Sequence, residues 1–224
     1  MTLHRTRIKI CGLTREQDLH AAVRAGADAV GFVFYGPSPR YIAPEAAGRL
    51  LAGLPPFVTS VGLFVNATAE EVASVLQAAP VSLLQFHGDE TLEQCAAIAE
   101  AVRRPFLRAI RVKSGMTAAD LLEYEHAYRA SGPWFAGLLL DAFVDGYGGG
   151  GKVFDWSLIP EELAPRVVLS GGLSEQNVTE AVAGLRPYAV DVSSGVEASK
   201  GIKDAARLRA FIEGVRAADA AIPK

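Results

Sequence analysis

Eight short apolar runs recur at near-even spacing through the 224 residues of this chain, and no other feature constrains its fold as tightly. They occupy residues 8–11, 29–34, 58–65, 83–87, 106–112, 136–141, 167–170 and 189–193. Each has the length of a strand. Between most of them lie segments rich in alanine, leucine and charge with helical spacing, such as 15–25, 69–79, 92–102 and 204–217. Strand and helix in alternation imply parallel strands joined by right-handed crossovers, and continuously apolar strands imply that both faces of the sheet are covered. Eight such units predict an α/β fold, a (β/α)8 TIM barrel, in one domain spanning residues 1–224. An open doubly wound sheet shares the alternation but gathers its ligand at one switch point, whereas here glycine-rich turns follow several strands.

Composition limits the partners. Half of the residues are hydrophobic, enough for one large core, and 21% are charged, enough for a soluble exterior. The formal charge is −3, with basic residues scattered rather than gathered in a stripe, so no nucleic-acid partner is expected. The chain shows no signal peptide and no apolar stretch of membrane length, and its cysteines are two, Cys11 and Cys95. These features predict a cytoplasmic protein with no membrane partner and no disulfide.

In such a barrel the loops after the strands build the active site, so the residue that ends each strand is the place to look. The first run ends at Cys11 before Gly12, the fourth at His87 before Gly88, and the sixth at Asp141. The seventh ends at Ser170 before Gly171 and Gly172, and the eighth runs from Asp191 through Ser193 and Ser194 to Gly195. Period-two alternation puts Lys9 on the face of Cys11, where an ammonium would favour the thiolate, a form able to accept a carbon-bound proton. Cys95 lies inside a helical pattern and reads as packing. Asp141 closes an apolar run, where a carboxylate is costly without a partner; to act as a general acid it must be protonated, hence raised by burial or a neighbouring negative charge. The ordinary gap between a carboxyl and a thiol is about 4.6 pH units, or about 6 kcal/mol, favouring the proton on sulfur, so the two groups must titrate as a coupled pair.

The segments Ser170-Gly171-Gly172-Leu173 and Asp191-Val192-Ser193-Ser194-Gly195 resemble a phosphate cradle: small residues let backbone N–H groups approach an anion, and a short helix after the last strand would aim its positive end inward. Ser174 reads as a helix cap. Arg40 follows Gly36-Pro37-Ser38-Pro39, where two prolines would stiffen the backbone and hold the guanidinium as a bidentate carboxylate binder. His87 has two equal readings, stacking on an aromatic ring or hydrogen bonding to the backbone. The run 146–152 imitates a Walker loop up to Lys152, but Val153 stands where Ser or Thr would hold magnesium. It reads as a glycine loop. His4, His20 and His126 lack ligand-like spacing, so no metal site is expected.

Taken together these blocks resemble the phosphoribosylanthranilate isomerases of tryptophan biosynthesis, almost from end to end. The resemblance rests on Lys9-Ile10-Cys11-Gly12-Leu13-Thr14, Ser38-Pro39-Arg40-Tyr41-Ile42, Val61-Gly62-Leu63-Phe64-Val65-Asn66, Leu84-Gln85-Phe86-His87-Gly88, Leu138-Leu139-Leu140-Asp141, Leu169-Ser170-Gly171-Gly172-Leu173 and Asp191-Val192-Ser193-Ser194-Gly195-Val196-Glu197. Phe86 and Gly150 are its mild departures from the usual pattern. The resemblance implies a barrel of the ribulose-phosphate-binding type and an Amadori rearrangement of an aminoaldose phosphosugar without any cofactor. It also implies Asp141 as general acid and Cys11 as general base. Substrate binding would fall to Arg40, which takes the anthranilate carboxylate, to His87 and Asp191, and to Gly171, Gly172, Ser193, Ser194 and Gly195 around the phosphate. The chain is expected to act as a monomer or homodimer. An epimerase or a lyase would share the phosphate loops but need different acid–base groups, a metal-dependent epimerase would need clustered histidines, and a non-catalytic sugar-phosphate binder would need neither Cys11 nor Asp141.

Overall fold

The computed structural model describes residues 5–142 and 153–221. Eight strands, β1 (Arg7–Ile10), β2 (Ala29–Val33), β3 (Thr59–Phe64), β4 (Leu83–Phe86), β5 (Phe106–Val112), β6 (Phe135–Ala142), β7 (Val168–Leu169) and β8 (Ala189–Val192), form a closed barrel in sequence order. All neighbours are parallel, and β1 closes onto β8 with Lys9 opposite Asp191. Around them lie α1 (Glu16–Ala25), α2 (Pro44–Ala52), α3 (Ala69–Ala78), α4 (Leu92–Val102), α5 (Ala118–Ala130), α6 (Val178–Leu185) and α7 (Ala205–Ala221).

Local signals explain several boundaries. Helices α3, α4 and α5 begin with reciprocal capping boxes, Thr68 with Glu71, Thr91 with Gln94 and Thr117 with Asp120, which satisfy otherwise orphaned N–H groups. Helix α1 ends at Gly26 in the left-handed region at φ 102°. The expected alternation lapses once: between β6 and β7 the described residues carry two 3-10 turns, Trp156–Leu158 and Ala164–Arg166, in place of an α-helix. Pro160 and Pro165 interrupt that stretch, and each removes a backbone donor.

Strand alternation sends side chains into two separate compartments. The outward set, including Ile8, Phe32, Leu84, Phe106, Leu138 and Val190, packs beneath the helices in one continuous core. The inward set makes a small apolar floor of Leu107, Ala109, Leu139, Val168 and Ala189, with Leu83 against it. Two residues further along the same inward faces the chemistry changes: Leu83 gives way to Gln85 and His87, Leu139 to Asp141, Val168 to Ser170, and Ala189 to Asp191. The barrel is therefore plugged by apolar side chains below and polar at the C-terminal mouth, where β1 also delivers Lys9 and Cys11. After β8 the chain makes one 3-10 turn, Ser194–Val196, and then an antiparallel hairpin of β9 (Glu197–Ser199) and β10 (Ile202–Lys203).

Candidate active site at the barrel mouth

Cys11 is 4% exposed, and its N–H donates to Val192 O at 2.9 Å, holding the end of β1 against β8. Lys9 Nζ donates to Asp191 Oδ1 at 2.8 Å, and Ser170 Oγ donates to Asp191 Oδ2 at 3.2 Å. All three partners are buried. Lys9 favours the Cys11 thiolate by charge and by hydrogen bond, as its place on the same face predicts. Burial outweighs it and pushes the thiol up, and Asp191, the partner of Lys9, adds to the rise. Against its own burial, Lys9 is raised by Asp191 and by Cys11, so its charge stays in place. Close packing demands glycine next door: a Cβ on Gly31 would stand 2.9 Å from Cys11 Sγ and 3.2 Å from Lys9 Nζ.

Across the mouth, Asp141 Oδ2 lies 3.0 Å from His87 Nε2, and His87 Nδ1 lies 3.0 Å from Gln85 Nε2. With the Gln85 amide donating, Nδ1 accepts, and Nε2–H is aimed at the Asp141 carboxylate. The two ring nitrogens of His87 thus face side chains that reach them from β4 and β6 rather than the backbone. Gly171, at φ 83°, closes over this pair, since a Cβ there would lie 2.8 Å from Asp141 Oδ1 and 2.3 Å from Ala142 N. Behind the His87-Gly88 turn, Arg108 Nη1 donates to Glu90 Oε2 at 2.6 Å and Arg108 Nη2 to Gly88 O at 3.1 Å. Glu90 in turn accepts from the N–H groups of Gly88 and Asn66. This buried pair fastens the turn that aims His87.

Arg40 sits 9% exposed beside Gly12, where a Cβ would come within 2.6 Å of Arg40 Cδ. Its guanidinium is gripped by Glu197, Nε to Oε1 at 2.7 Å and Nη2 to Oε2 at 2.8 Å, and Lys203 Nζ donates to the same Oε1 at 2.9 Å. A carboxylate from the hairpin thus restrains the guanidinium directly. Burial raises Glu197, yet its two cationic partners hold the carboxyl below the usual range. Ser193 turns its hydroxyl inward, donating to Cys11 O at 3.0 Å and accepting from Lys203 Nζ at 3.2 Å, so its contribution to an anion is limited to its backbone N–H. The turns after β7 and β8 do meet, because a Cβ on Gly195 would lie 1.9 Å from Leu173 O. Ser174 is not the cap of α6. That position belongs to Asn177, whose side chain bonds to Ser174 N and Gly172 O and so ties the turn to the helix. The glycine loop at 146–152 falls outside the described residues. Cys95 is buried in α4, pushed up to about 12 by burial.

Gln85, Glu197, Lys203 and the Arg108–Glu90 pair were absent from the residues singled out by sequence. For Gln85 a signal existed, since it shares the face of His87 two residues earlier. Glu197 closes a block of the family resemblance but carried no sign of its partner, and Lys203 carried no signal, because only the closed barrel brings their hairpin to the loop after β2.

A closed eight-stranded parallel barrel with a thiol and a histidine-paired carboxylic group at the C-terminal ends of its strands, and small-residue turns that meet after β7 and β8, belongs to the (β/α)8 barrel class. Within that class the relationship is specific. A sequence model of the N-(5'phosphoribosyl)anthranilate (PRA) isomerase family matches residues 8–214, and the chain belongs to that family. It is 69% identical over 220 residues to N-(5'-phosphoribosyl)anthranilate isomerase of Herminiimonas arsenicoxydans, covering 98% of this chain and 97% of the relative. The phosphoribosyl anthranilate isomerase structure from Thermotoga maritima superposes with a TM-score of 0.82 at 44% identity, covering 95% of this chain and 99% of that one. A structure of phosphoribosyl anthranilate isomerase in complex with reduced 1-(o-carboxyphenylamino)-1-deoxyribulose 5-phosphate superposes at 0.80 with 42% identity, over 95% of this chain and 99% of that one.

Proposed function

We propose that the protein converts N-(5'-phosphoribosyl)anthranilate to 1-(2-carboxyphenylamino)-1-deoxyribulose 5-phosphate, an Amadori rearrangement in L-tryptophan biosynthesis carried out in the cytoplasm. The observation that carries this reading is the shared mouth: Cys11 from β1 and Asp141 from β6 both face the barrel interior above its apolar floor.

Asp141 donates a proton to the furanose ring oxygen, the bond from that oxygen to C1' breaks, and the nitrogen lone pair forms a C1'=N iminium. Cys11 then removes the C2' proton, and the released electron pair forms the enolamine, neutralising the iminium. Tautomerisation moves a proton from O2' to C1' and gives the ketone, and the cycle ends with the abstracted proton on Cys11. Burial favours the Cys11 thiol in the free protein, so the sulfur's proton passes to Asp141 as substrate binds, before ring opening. The iminium that ring opening creates beside Cys11 then stabilises the thiolate until it takes the C2' proton. His87, with Nε2 at Asp141, orients the acid. Arg40 takes the anthranilate carboxylate, and backbone donors of Gly171, Gly172, Ser193, Ser194 and Gly195 take the phosphate, fixing the substrate at both ends. Asp191 borders the sugar with its two oxygens engaged by Lys9 and Ser170.

The test is turnover of phosphoribosylanthranilate by the purified protein in the presence of a chelator, followed by the loss of substrate fluorescence. Steady loss supports the proposal. Turnover that stops with the chelator would indicate a metal-dependent relative, and binding without turnover a sugar-phosphate receptor.

A further inference from the structure

The β9–β10 hairpin is tied to the mouth at several points that the proton chemistry does not use. Lys203 donates through Nζ to Glu197 Oε1 at 2.9 Å and to Ser193 O at 3.0 Å, the residue whose hydroxyl holds Cys11 O. Its backbone N–H donates to Asp18 of α1 at 3.1 Å, and Arg207 of α7 donates to Glu197 O at 2.7 Å. The turn between the two strands, Gly201 at φ 79°, fits against the loop that carries Arg40: a Cβ there would lie 2.8 Å from Pro39 O. Thr14 also donates to Gly201 O at 2.8 Å. The hairpin is thus built into the barrel on one side and clasps Arg40 on the other.

A carboxylate on a substrate-binding arginine would ordinarily cancel the charge that the arginine is there to offer. Here Lys203 balances Glu197, so the buried trio of Arg40, Glu197 and Lys203 keeps one net positive charge. Glu197 occupies the Nε–Nη2 edge of the guanidinium, which leaves the edge between Nη1 and Nη2 clear of that carboxylate.

We propose that Glu197 and Lys203 are positioning residues, a brace that fixes the free edge of Arg40 and preserves its charge for the aromatic carboxylate of the substrate. This rests on the reading of Arg40 as carboxylate binder given above. Charge complementarity of this kind acts only on a ligand that carries the carboxylate, and that separates it from a purely structural role.

The experiment is calorimetric binding of two ligands, reduced 1-(o-carboxyphenylamino)-1-deoxyribulose 5-phosphate and the same compound lacking its carboxyl group. In Glu197→Gln and in Lys203→Met, affinity for the carboxylated ligand should fall about tenfold, the loss expected for a charge-assisted bond held out of place. Affinity for the ligand without the carboxyl should not change in Glu197→Gln and should fall by far less than tenfold in Lys203→Met, which also loses the bond to Ser193. Equal weakening of both ligands, or of neither, would overturn the brace. Glu197→Asp keeps the charge and shortens the arm, so if Glu197→Gln does not fold, this variant carries the same selective prediction with a smaller loss. Failure of the underlying reading looks different: the unmodified protein would bind neither ligand, or Arg40→Ala would weaken both alike.

Discussion

The two halves of the barrel mouth are built on opposite electrostatic plans. On the side of β1, β8 and the hairpin, five buried charged groups, Lys9, Asp191, Arg40, Glu197 and Lys203, surround Cys11 and are paired with one another. On the side of β4 and β6, one carboxylate, Asp141, is reached through a ring and an amide, His87 and Gln85. Each charge in the first half depends on its neighbour, since removing one strands another in a medium where an unpaired ion is costly. In the second half every partner of the proton can exchange roles, because imidazole and amide each offer both a donor and an acceptor. Fixed charge suits the capture of an anionic substrate. Exchangeable hydrogen bonds suit a group that must give up a proton and recover it.

The sharpest way to break that comparison is to remove one reacting group from each half. Cys11→Ala and Asp141→Asn should each lower kcat by about 10²–10⁴-fold while leaving product-analogue affinity nearly unchanged, measured by steady-state fluorescence assay and calorimetry. Near-normal turnover in either variant would reassign its role. Next in size is the charged half alone: Lys9→Met leaves Asp191 buried without its cation and should cost about 3–5 kcal/mol of stability, read from the midpoint of urea unfolding. An unchanged midpoint would mean that the pair is not load-sharing with the barrel seam.

On the exchangeable half the effect should be smaller and visible in tautomers. Gln85→Leu removes the group that selects which nitrogen of His87 holds the proton, and should cut kcat about tenfold. The 15N spectrum of the His87 ring should lose its preference for the Nε2–H form. A fall in kcat with an unaltered tautomer would make Gln85 merely structural. The mildest test is chemical. With burial raising the Cys11 thiol, alkylation of the free protein should be slow at neutral pH and quicken only above the usual thiol range near about 8.5. Cys95, pushed up to about 12, should stay inert throughout. The linkage has a definite sign: the folded value of Cys11 lies above the unfolded one, so its stabilising contribution is present below the unfolded value and lost as pH rises through the folded value.

Much of the site was legible because it obeys strand rhythm. Cys11, His87, Asp141, Ser170 and Asp191 all stand where an apolar run ends, and in a barrel such ends converge on one mouth whatever the details. What strand rhythm leaves out is the distant partner. Lys9 does interact with Cys11, as its position two residues earlier predicts, but the closing register of β1 on β8 also sets it opposite Asp191, 182 positions away. Arg40 likewise gains Glu197 across 157 positions. His87 found its partner 54 positions on, in a strand that is not its neighbour in the barrel.

By itself the sequence determined the alternation of strands and helices, the placing of reactive residues at strand ends, and the likeness to phosphoribosylanthranilate isomerases. The first two follow from periodicity and residue type, which act over a few positions and need no knowledge of closure, and the likeness rests on matched blocks of sequence. Tertiary structure alone decided which charge meets which: Lys9 with Asp191, Arg40 with Glu197 and Lys203, His87 with Asp141. Electrostatic partnership depends on distance in space, and in a closed barrel that distance is set by register across the seam and by the packing of late hairpins on early loops.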